Sequence, residues 1–176
     1  RPLSPTSDRR ASHELACLLG GALGDALGYR VEFDSLAMIR REHGAAGIAL
    51  ARAAGTLEVS DDTQMSLFTL EGQLRAVRDG VPLLDAIRHA YLDWHRTQDG
   101  QRSAHGPSQS VGLARHSVLW QRQAPGTTCM AALRAGGHGS VASPINDSKG
   151  CGGVMRTAPL GFLDAHGVPA LAAKLA

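Results

Sequence analysis

The spacing of apolar residues constrains the fold of this chain more than any other feature of its sequence. Apolar side chains recur at intervals of three and four, and no stretch alternates polar with apolar residues as a half-buried strand would. We therefore predict an all-α fold. The predicted helices run from about Ser12 to Gly28, from Asp34 as N-cap to Gly44, from near Ser60 to about Gly80, from Pro82 through Trp94, from Ser108 to Gln123, from Thr127 to Ala135, from Val154 to Leu163, and from Ala170 to Ala176.

Three of these helices carry apolar residues that we expect to face a core. Small residues between Gly20 and Gly24 of the first helix would also let a neighbouring helix approach closely. The expected core residues are Leu15, Leu18, Leu19, Leu23, Ala26 and Leu27 in the first helix, Met65, Phe68, Leu70, Leu74 and Val77 in the long helix, and Leu84, Ile87, Tyr91 and Trp94 in the helix after Pro82.

The composition excludes several classes of protein. A length of 176 residues, with 43% hydrophobic and 19% charged residues, is typical of one folded domain. The net charge of +2, the scattered basic residues and the 4% of aromatic residues argue against a nucleic-acid partner. A membrane partner is not expected either, because no apolar run approaches the roughly 20 residues that span a bilayer.

Cysteine usage and the two chain ends complete the bulk properties. Cys17, Cys129 and Cys151 show no paired spacing, so we expect a reducing cytosol rather than disulfides or a zinc site. Residues 1–11 are polar and lack the apolar segment of a signal peptide. We predict that they form a flexible lead-in before a domain at 12–176. The last predicted helix stops within two turns and has no cap, which indicates an incomplete piece of a longer protein.

The acidic cluster Ser60-Asp61-Asp62-Thr63 lies at the predicted start of the long helix. The helix dipole and the free N–H groups of a first turn reduce the repulsion between two adjacent carboxylates. One interpretation is an ordinary N-cap with an acidic first turn. The other is a magnesium site, because magnesium prefers carboxylate, hydroxyl and water oxygens.

A glycine-rich loop runs from Asn146 to Gly153 and leads into Val154-Met155-Arg156. Three glycines in four positions permit close backbone approach and positive φ, and N–H groups at a following helix start suit phosphate oxygens. Ser148 would add a hydroxyl, and Lys149 or Arg156 a positive charge. An ordinary flexible loop is the alternative. Cys151 has no adjacent histidine to act as its base, so we interpret it as a small side chain in a crowded turn.

Three further acids follow or end predicted helices. Glu32 stands between Val31 and Phe33, where partial burial would raise its pKa and suit proton transfer, although a solvated loop acid is equally compatible. Asp25 is a candidate cap for a neighbouring element. Asp99 lies at a helix end, where the dipole disfavours an anion, which suggests a cationic partner.

Taken together, these segments resemble the ADP-ribosylglycohydrolase family, which includes the dinitrogenase reductase-activating glycohydrolases. Each segment is unspecific alone, but five in the same order are a specific signature that covers roughly residues 12 to 163. The matching segments are Gly20 to Gly28, Val31-Glu32-Phe33, Ser60 to Met65, Pro125 to Cys129 with Ala131, Ala132 and Leu133, and Asn146 to Pro159.

The resemblance implies an all-α orthogonal bundle, of which this chain is the N-terminal part, with two magnesium ions in a cleft and manganese as an alternative ion. The implied partners are ADP-ribose and an ADP-ribosylated protein. By their match to the family's motifs, the implied metal ligands are Ser60, Asp61 and Asp62, the implied catalytic acid is Glu32, the implied phosphate-binding residues are Ser148, Gly150, Cys151 and Gly152, and the residue near the substrate guanidinium is Asp99.

The implied reaction is metal-assisted hydrolysis of the bond between ADP-ribose and a modified side chain, with arginine preferred and serine as an alternative. The family completes its metal site with an Asp-x-Asp-Thr segment, which does not occur after Asp164. We therefore expect that these residues are a fragment of a longer protein, or that the C-terminal half is disordered or carried as a separate segment. In each case we expect little turnover from these residues alone. Two alternatives remain: a non-catalytic member with a structural or toxin-occluding role, and a helical binding module without metal.

Overall fold

The computed structural model describes residues 5–48, 56–99 and 106–163, and within them it is helical with no strand. The chain divides into two compact units, Arg1–Ser60 and Asp61–Ala176. The first unit contains α1 (Pro5–Gly28), a 3-10 turn (Tyr29–Val31) and α2 (Leu36–His43). The second contains α3 (Asp61–Asp79), α4 (Leu83–Gln98), α5 (Thr127–Arg134) and α6 (Gly152–Met155), together with four 3-10 turns at Pro107–Gln109, Gly112–Arg115, Ser117–Trp120 and Ala158–Phe162. The all-α prediction is confirmed for the described residues.

Helix α1 begins at Pro5, seven residues before the predicted start, so residues 5–11 of the expected lead-in have helical backbone. Proline is well suited to the first turn of a helix, and an ion pair between Arg10 and Glu14 at 2.9 Å supports the following turn. The expected apolar face is only partly buried: Ala26 is enclosed, whereas Leu15 and Leu19 are exposed.

Two other expectations for the first unit are also revised. A side chain at Gly20, Gly21 or Gly24 would meet no atom within 4 Å, so the described residues place no helix against these glycines. The N-cap of α2 is Ser35 rather than Asp34, because the Ser35 hydroxyl accepts the N–H of Met38 at 3.2 Å.

Helices α3 and α4 form the core of the second unit. Gly72 permits their close approach, since a Cβ at this position would lie 2.4 Å from the Ile87 Cα. The indole N–H of Trp94 on α4 donates to the Gln64 Oε1 on α3 at 2.9 Å. The buried core cluster comprises Met65, Phe68, Ile87, Ala90, Tyr91, Trp94, Ala114, Leu119, Cys129, Met130, Leu133 and Leu160.

The predicted buried face of α3 was partly wrong. Met65 and Phe68 are buried, but Leu74 and Val77 are exposed, and Leu70 is half-buried. The contact with α4 follows the line through Gln64, Phe68 and Gly72 instead, because a glycine and a hydrogen-bonded amide let the two helices approach more closely than leucines would. The apolar residues near the end of α3 therefore lie on the other side of the helix. The stripe predicted for α4 is confirmed at Ile87, Tyr91 and Trp94.

Two predicted helices in the second half of the chain are replaced by shorter elements. The segment 108–123 forms 3-10 turns, since Gly112 adopts a φ of 56° that interrupts a helix. The expected helix 154–163 is divided into α6 and a 3-10 turn, because Pro159 has no N–H to donate. The prediction for α5 is confirmed, and it is followed by Gly136 and Gly137 with φ of 97° and 64°. The expected helix at 170–176 lies outside the described residues.

A largely buried ion-pair network joins α3 to α4. Arg75 donates to Glu71 at 2.7 Å and to Asp93 at 2.6 Å, and all three side chains are about one-eighth exposed. Burial acts to lower the pKa of Arg75, but the hydrogen bonds to Asp93 and Glu71 outweigh it and raise the pKa. Glu71 also accepts the N–H of Leu113 at 3.1 Å, so the network fixes the turn at Gly112.

Replacing Arg75 with methionine should destabilise the second unit by about 2 kcal/mol, because Glu71 and Asp93 would then stay partly buried without their shared cation. Arg78→Met removes the same charge from the same helix, but Arg78 is 72% exposed and pairs with Asp79 on the surface. We expect it to change stability by less than about 0.5 kcal/mol. Urea unfolding followed by tryptophan fluorescence measures both, since Trp94 and Trp120 belong to the second unit. Equal midpoints for the two variants would contradict the prediction.

Candidate active site

Asp61 and Asp62 begin α3, as the sequence predicted, and Asp61 is held from two sides. The Asp61 side chain is buried, and its Oδ2 accepts the backbone N–H of Gly126 at 2.9 Å. The Asp61 N–H donates to the carbonyl oxygen of Gln123 at 2.9 Å. Asp62 is half-buried. The start of α3 is therefore joined to the segment that leads into α5.

The glycine-rich loop contacts the first turn of the same helix α5. The Ser148 hydroxyl lies 3.1 Å from that of Thr128 and accepts the Gly150 N–H at 3.3 Å. The Ser148 N–H donates to the Asn146 Oδ1 at 2.9 Å. A Cβ at Gly152 would lie 2.5 Å from the Cys129 Sγ, so only glycine fits there. The predicted close approach is confirmed at this position.

Positive φ, in contrast, is not used by the glycines of this loop, since none of Gly150, Gly152 and Gly153 has a φ in the left-handed region. Glycine serves there as the residue without a side chain rather than as the residue with extra backbone freedom. Residues 146–151 of the loop are exposed and Gly152 and Gly153 are half-buried, so the polar groups of residues 146–151 are accessible to a ligand.

Side chains on α3 hold the chain that follows α6. The Ser66 hydroxyl donates to the carbonyl of Met155 at 3.0 Å, and the Thr69 hydroxyl to that of Arg156 at 2.9 Å. The Tyr91 hydroxyl lies 2.6 Å from the Thr69 oxygen, and burial raises the pKa of Tyr91 and keeps its phenol protonated. The sequence did not predict a role for these residues. A hydroxyl residue on a helix face gives the same sequence pattern whether its side chain is solvated or bonded to a distant carbonyl.

The Arg156 guanidinium points inward rather than toward the exposed loop. Its Nη1 lies 3.5 Å from the Cys129 Sγ and 3.9 Å from the Met65 Sδ, and its Cζ lies 4.9 Å from the Tyr91 ring centre. Burial raises the pKa of Cys129, so this thiol is protonated at neutral pH. The suggestion that Arg156 supplies charge to phosphates is therefore not supported, and Lys149 is the exposed cation of the loop.

The sequence that forms this arrangement, with an acidic helix start and a glycine-rich loop that both contact the first turn of α5, matches a known family. The family model for ADP-ribosylglycohydrolases matches residues 6–176. The chain belongs to the ADP-ribosylglycohydrolase family. Membership indicates a glycohydrolase that acts on ADP-ribose linkages. No match to this chain was found among the curated proteins or among the solved structures.

Three other predicted site residues lie in other parts of the chain than α5. Ser60 and Glu32 belong to the first unit, and Asp99 ends α4. Ser60 is buried, and its N–H donates to the Asp25 Oδ2 at 2.9 Å, so Asp25 does cap a neighbouring segment. Glu32 ends the 3-10 turn and is exposed, as is Phe33, so of the two interpretations left open for Glu32 the structure shows the solvated loop acid. The bulky neighbours of Glu32 do not cover it, because both the acid and Phe33 extend into solvent.

Asp99 is the C-cap of α4, where its N–H donates to the His95 carbonyl at 3.0 Å. Burial lowers the pKa of His95, and the Asp99 carboxylate partly offsets this. In the segments that the structure describes, no hydrogen bond or ion pair joins Asp99 to the glycine-rich loop.

The oxygen atoms at the start of α3 are of the type that magnesium prefers as ligands. Asp61 and Asp62 supply two carboxylates, and magnesium in proteins is commonly held by one or two carboxylates with water completing the octahedron. Across residues 5–48, 56–99 and 106–163, no group of three or more His, Cys, Asp or Glu side chains is arranged to enclose a metal ion. Within the same residues, no helix is both long and apolar enough to cross a bilayer.

Proposed function

We propose that this protein is a magnesium-dependent hydrolase that releases ADP-ribose from modified arginine side chains. The observation that supports this best is the first turn of α5, where Gly126 binds the Asp61 carboxylate and Thr128 contacts the Ser148 hydroxyl of the glycine-rich loop. A cation-binding acid and an anion-binding loop on one turn suit a substrate that carries both a diphosphate and ribose hydroxyls.

The loop anchors the diphosphate in this proposal. The Ser148 hydroxyl and the backbone N–H groups of Gly150, Cys151 and Gly152 donate to phosphate oxygens, and exposed Lys149 adds a positive charge. Binding energy gained at the phosphates, far from the bond that breaks, holds the distal ribose in position for reaction.

The acids act at the distal ribose. Ser60, Asp61 and Asp62 would hold magnesium, with manganese as a substitute, and the bound ions would supply Lewis acidity to the ribose hydroxyls and to water. Glu32 accepts a proton from the attacking water as the water oxygen bonds to the anomeric carbon. The bond from that carbon to the arginine nitrogen breaks with its electron pair on the nitrogen, which takes up a proton to give the free guanidinium. Asp99 orients the departing guanidinium. The carboxylates stabilise positive charge that develops on the sugar in an oxocarbenium-like transition state.

All three cysteines, Cys17, Cys129 and Cys151, are free thiols. Free thiols persist in a reducing compartment, which supports a cytoplasmic location for the proposed reaction and an ADP-ribosylated cytoplasmic protein as its partner.

Release of ADP-ribose from arginine-modified protein tests the proposal directly. We expect the full-length protein to release ADP-ribose from arginine linkages at least about tenfold faster than from serine linkages. Chelation with EDTA should lower the rate by about 100-fold or more, and added magnesium should restore it. The measurement is the chromatographic quantity of free ADP-ribose over time.

Two results would redirect the assignment. Faster release from serine-modified protein would contradict the arginine preference but would still support the assignment of the protein as a hydrolase. Tight ADP-ribose binding without release from either linkage, with and without magnesium, would favour a non-catalytic member of the family.

A further inference from the structure

We infer that Asp61 is a positioning residue for the phosphate-binding side of the site, in addition to its proposed place among the metal ligands. The inference deepens the proposed function and rests on it for the identity of the ligand, ADP-ribose. It starts from the Asp61 carboxylate, which is 6% exposed and accepts the Gly126 N–H. A carboxylate at this depth is retained only where donors replace the water that it has lost.

Asp61 forms a hydrogen bond to each end of the segment 123–126, which we call the clamped segment. Its own N–H donates to the Gln123 carbonyl, and its Oδ2 accepts from Gly126, each at 2.9 Å. Between these contacts Ala124 has a φ of 48°, in the left-handed region that residues with a Cβ rarely adopt. Such a conformation persists only where the surrounding contacts impose it, and the two hydrogen bonds of Asp61 are contacts of this kind.

The clamped segment determines where α5 begins. Gly126 is the N-cap of α5 and contributes no side-chain cap, so its position depends on its backbone contacts. Two residues later the Thr128 hydroxyl meets Ser148, and the Cys129 sulfur fits against Gly152. A shift of Gly126 would therefore also move the two contacts of α5 with the glycine-rich loop, at Ser148 and at Gly152. Asp61 thus aligns the loop with the acidic start of α3.

A comparison of three variants of the full-length protein separates positioning from charge. Asp61→Asn keeps an oxygen that accepts the Gly126 N–H, Asp61→Ala removes it, and Asp79→Ala removes a surface carboxylate at the other end of α3 instead. The readouts are hydrogen exchange of the Gly126 amide and calorimetric binding of ADP-ribose, both in EDTA so that no divalent cation contributes.

We expect Asp61→Ala to speed Gly126 exchange and to weaken ADP-ribose binding, each by about tenfold. Asp61→Asn and Asp79→Ala should keep both quantities within about threefold of the wild type. Equal loss in the Asn and Ala variants would overturn the inference, because charge rather than the hydrogen bond would then be the cause. A Gly126 amide that exchanges freely in the wild type would also overturn it, even where Asp61→Ala fails to fold.

The same data keep this inference apart from the proposed function. If the wild type binds ADP-ribose neither in EDTA nor with added magnesium, the ligand assignment fails, while the exchange of the Gly126 amide still decides whether Asp61 holds the start of α5. If the wild type binds ADP-ribose and Asp61→Ala binds it equally well, the positioning role is rejected and the proposed function stands.

Discussion

Gly72→Ala should lower the free energy of unfolding of the second unit by about 3 kcal/mol, although alanine is the better helix former by about 1 kcal/mol. The added methyl group would lie 2.4 Å from the Ile87 Cα and 2.9 Å from the Ile87 nitrogen. Both are backbone atoms, so no side-chain rotation relieves the overlap and α3 has to move away from α4. Because the core lies between these helices, the movement also loosens Phe68 and Trp94. Urea unfolding followed by tryptophan fluorescence measures the loss.

Gly20→Ala is the matched control for this prediction. Gly20 is also a glycine within a helix, but a Cβ there meets nothing within 4 Å. We expect Gly20→Ala to be neutral or to stabilise the protein by up to about 1 kcal/mol, since only the helix propensity changes. Thermal unfolding followed by far-ultraviolet circular dichroism compares the two variants. A Gly72→Ala variant as stable as Gly20→Ala would show that the two helices are not packed closely at Gly72.

The helices of this chain were predictable wherever apolar periodicity and terminal signals coincide. Pro82 before α4 and Gly136-Gly137 after α5 mark boundaries that the structure confirms. Between residues 108 and 123 the apolar spacing suggested a helix, but the turns there are fixed by distant groups, including the Glu71 carboxylate on the Leu113 N–H. A contact that spans 42 residues leaves no mark on local periodicity.

The buried face of α3 was harder to predict for a related reason. Hydrophobic spacing assigns Leu74 and Val77 to the core, whereas the structure buries Gln64 and Gly72. Burial of an amide is favourable only because the Trp94 N–H donates to it. Such a hydrogen-bonded pair depends on the partner helix, and so does the packing of a glycine against a neighbouring backbone. The sequence of one helix alone does not specify its partner.

For the candidate site, the sequence indicated the residue types but not their connections. Asp61 and Ser148 were recognised by their motifs, and the structure joins them through α5. Thr128, Ser66 and Thr69 were missed, because isolated hydroxyl residues are common on helix surfaces. For Glu32, the apolar neighbours left partial burial and exposure equally compatible, and the structure shows exposure. Neighbours in sequence do not enclose a side chain unless a second segment packs over them.

Asp62→Asn should reduce the turnover number of the full-length protein for ADP-ribosyl-arginine release by about 100-fold or more, if Asp62 is a ligand of magnesium as proposed. The substitution keeps the size of the side chain and removes one negative charge from the first turn of α3. Stability should fall by no more than about 1 kcal/mol, which is the usual value of an acid at a helix N-terminus. Initial rates of release at saturating substrate, with magnesium titrated by calorimetry in parallel, measure both parts of the effect.

The control is Asp79→Asn, the same change at the opposite end of the same helix. Asp79 pairs with Arg78 on the surface, and its side chain is 44% exposed. It should therefore leave both the turnover number and magnesium binding within about twofold of the wild type. Because the two variants share the chemistry of the change and the helix, a difference between them reports the location of Asp62 at the start of α3. If Asp62→Asn retained the wild-type rate, the acid would be only a helix-terminal residue, and the proposed metal-assisted mechanism would be rejected.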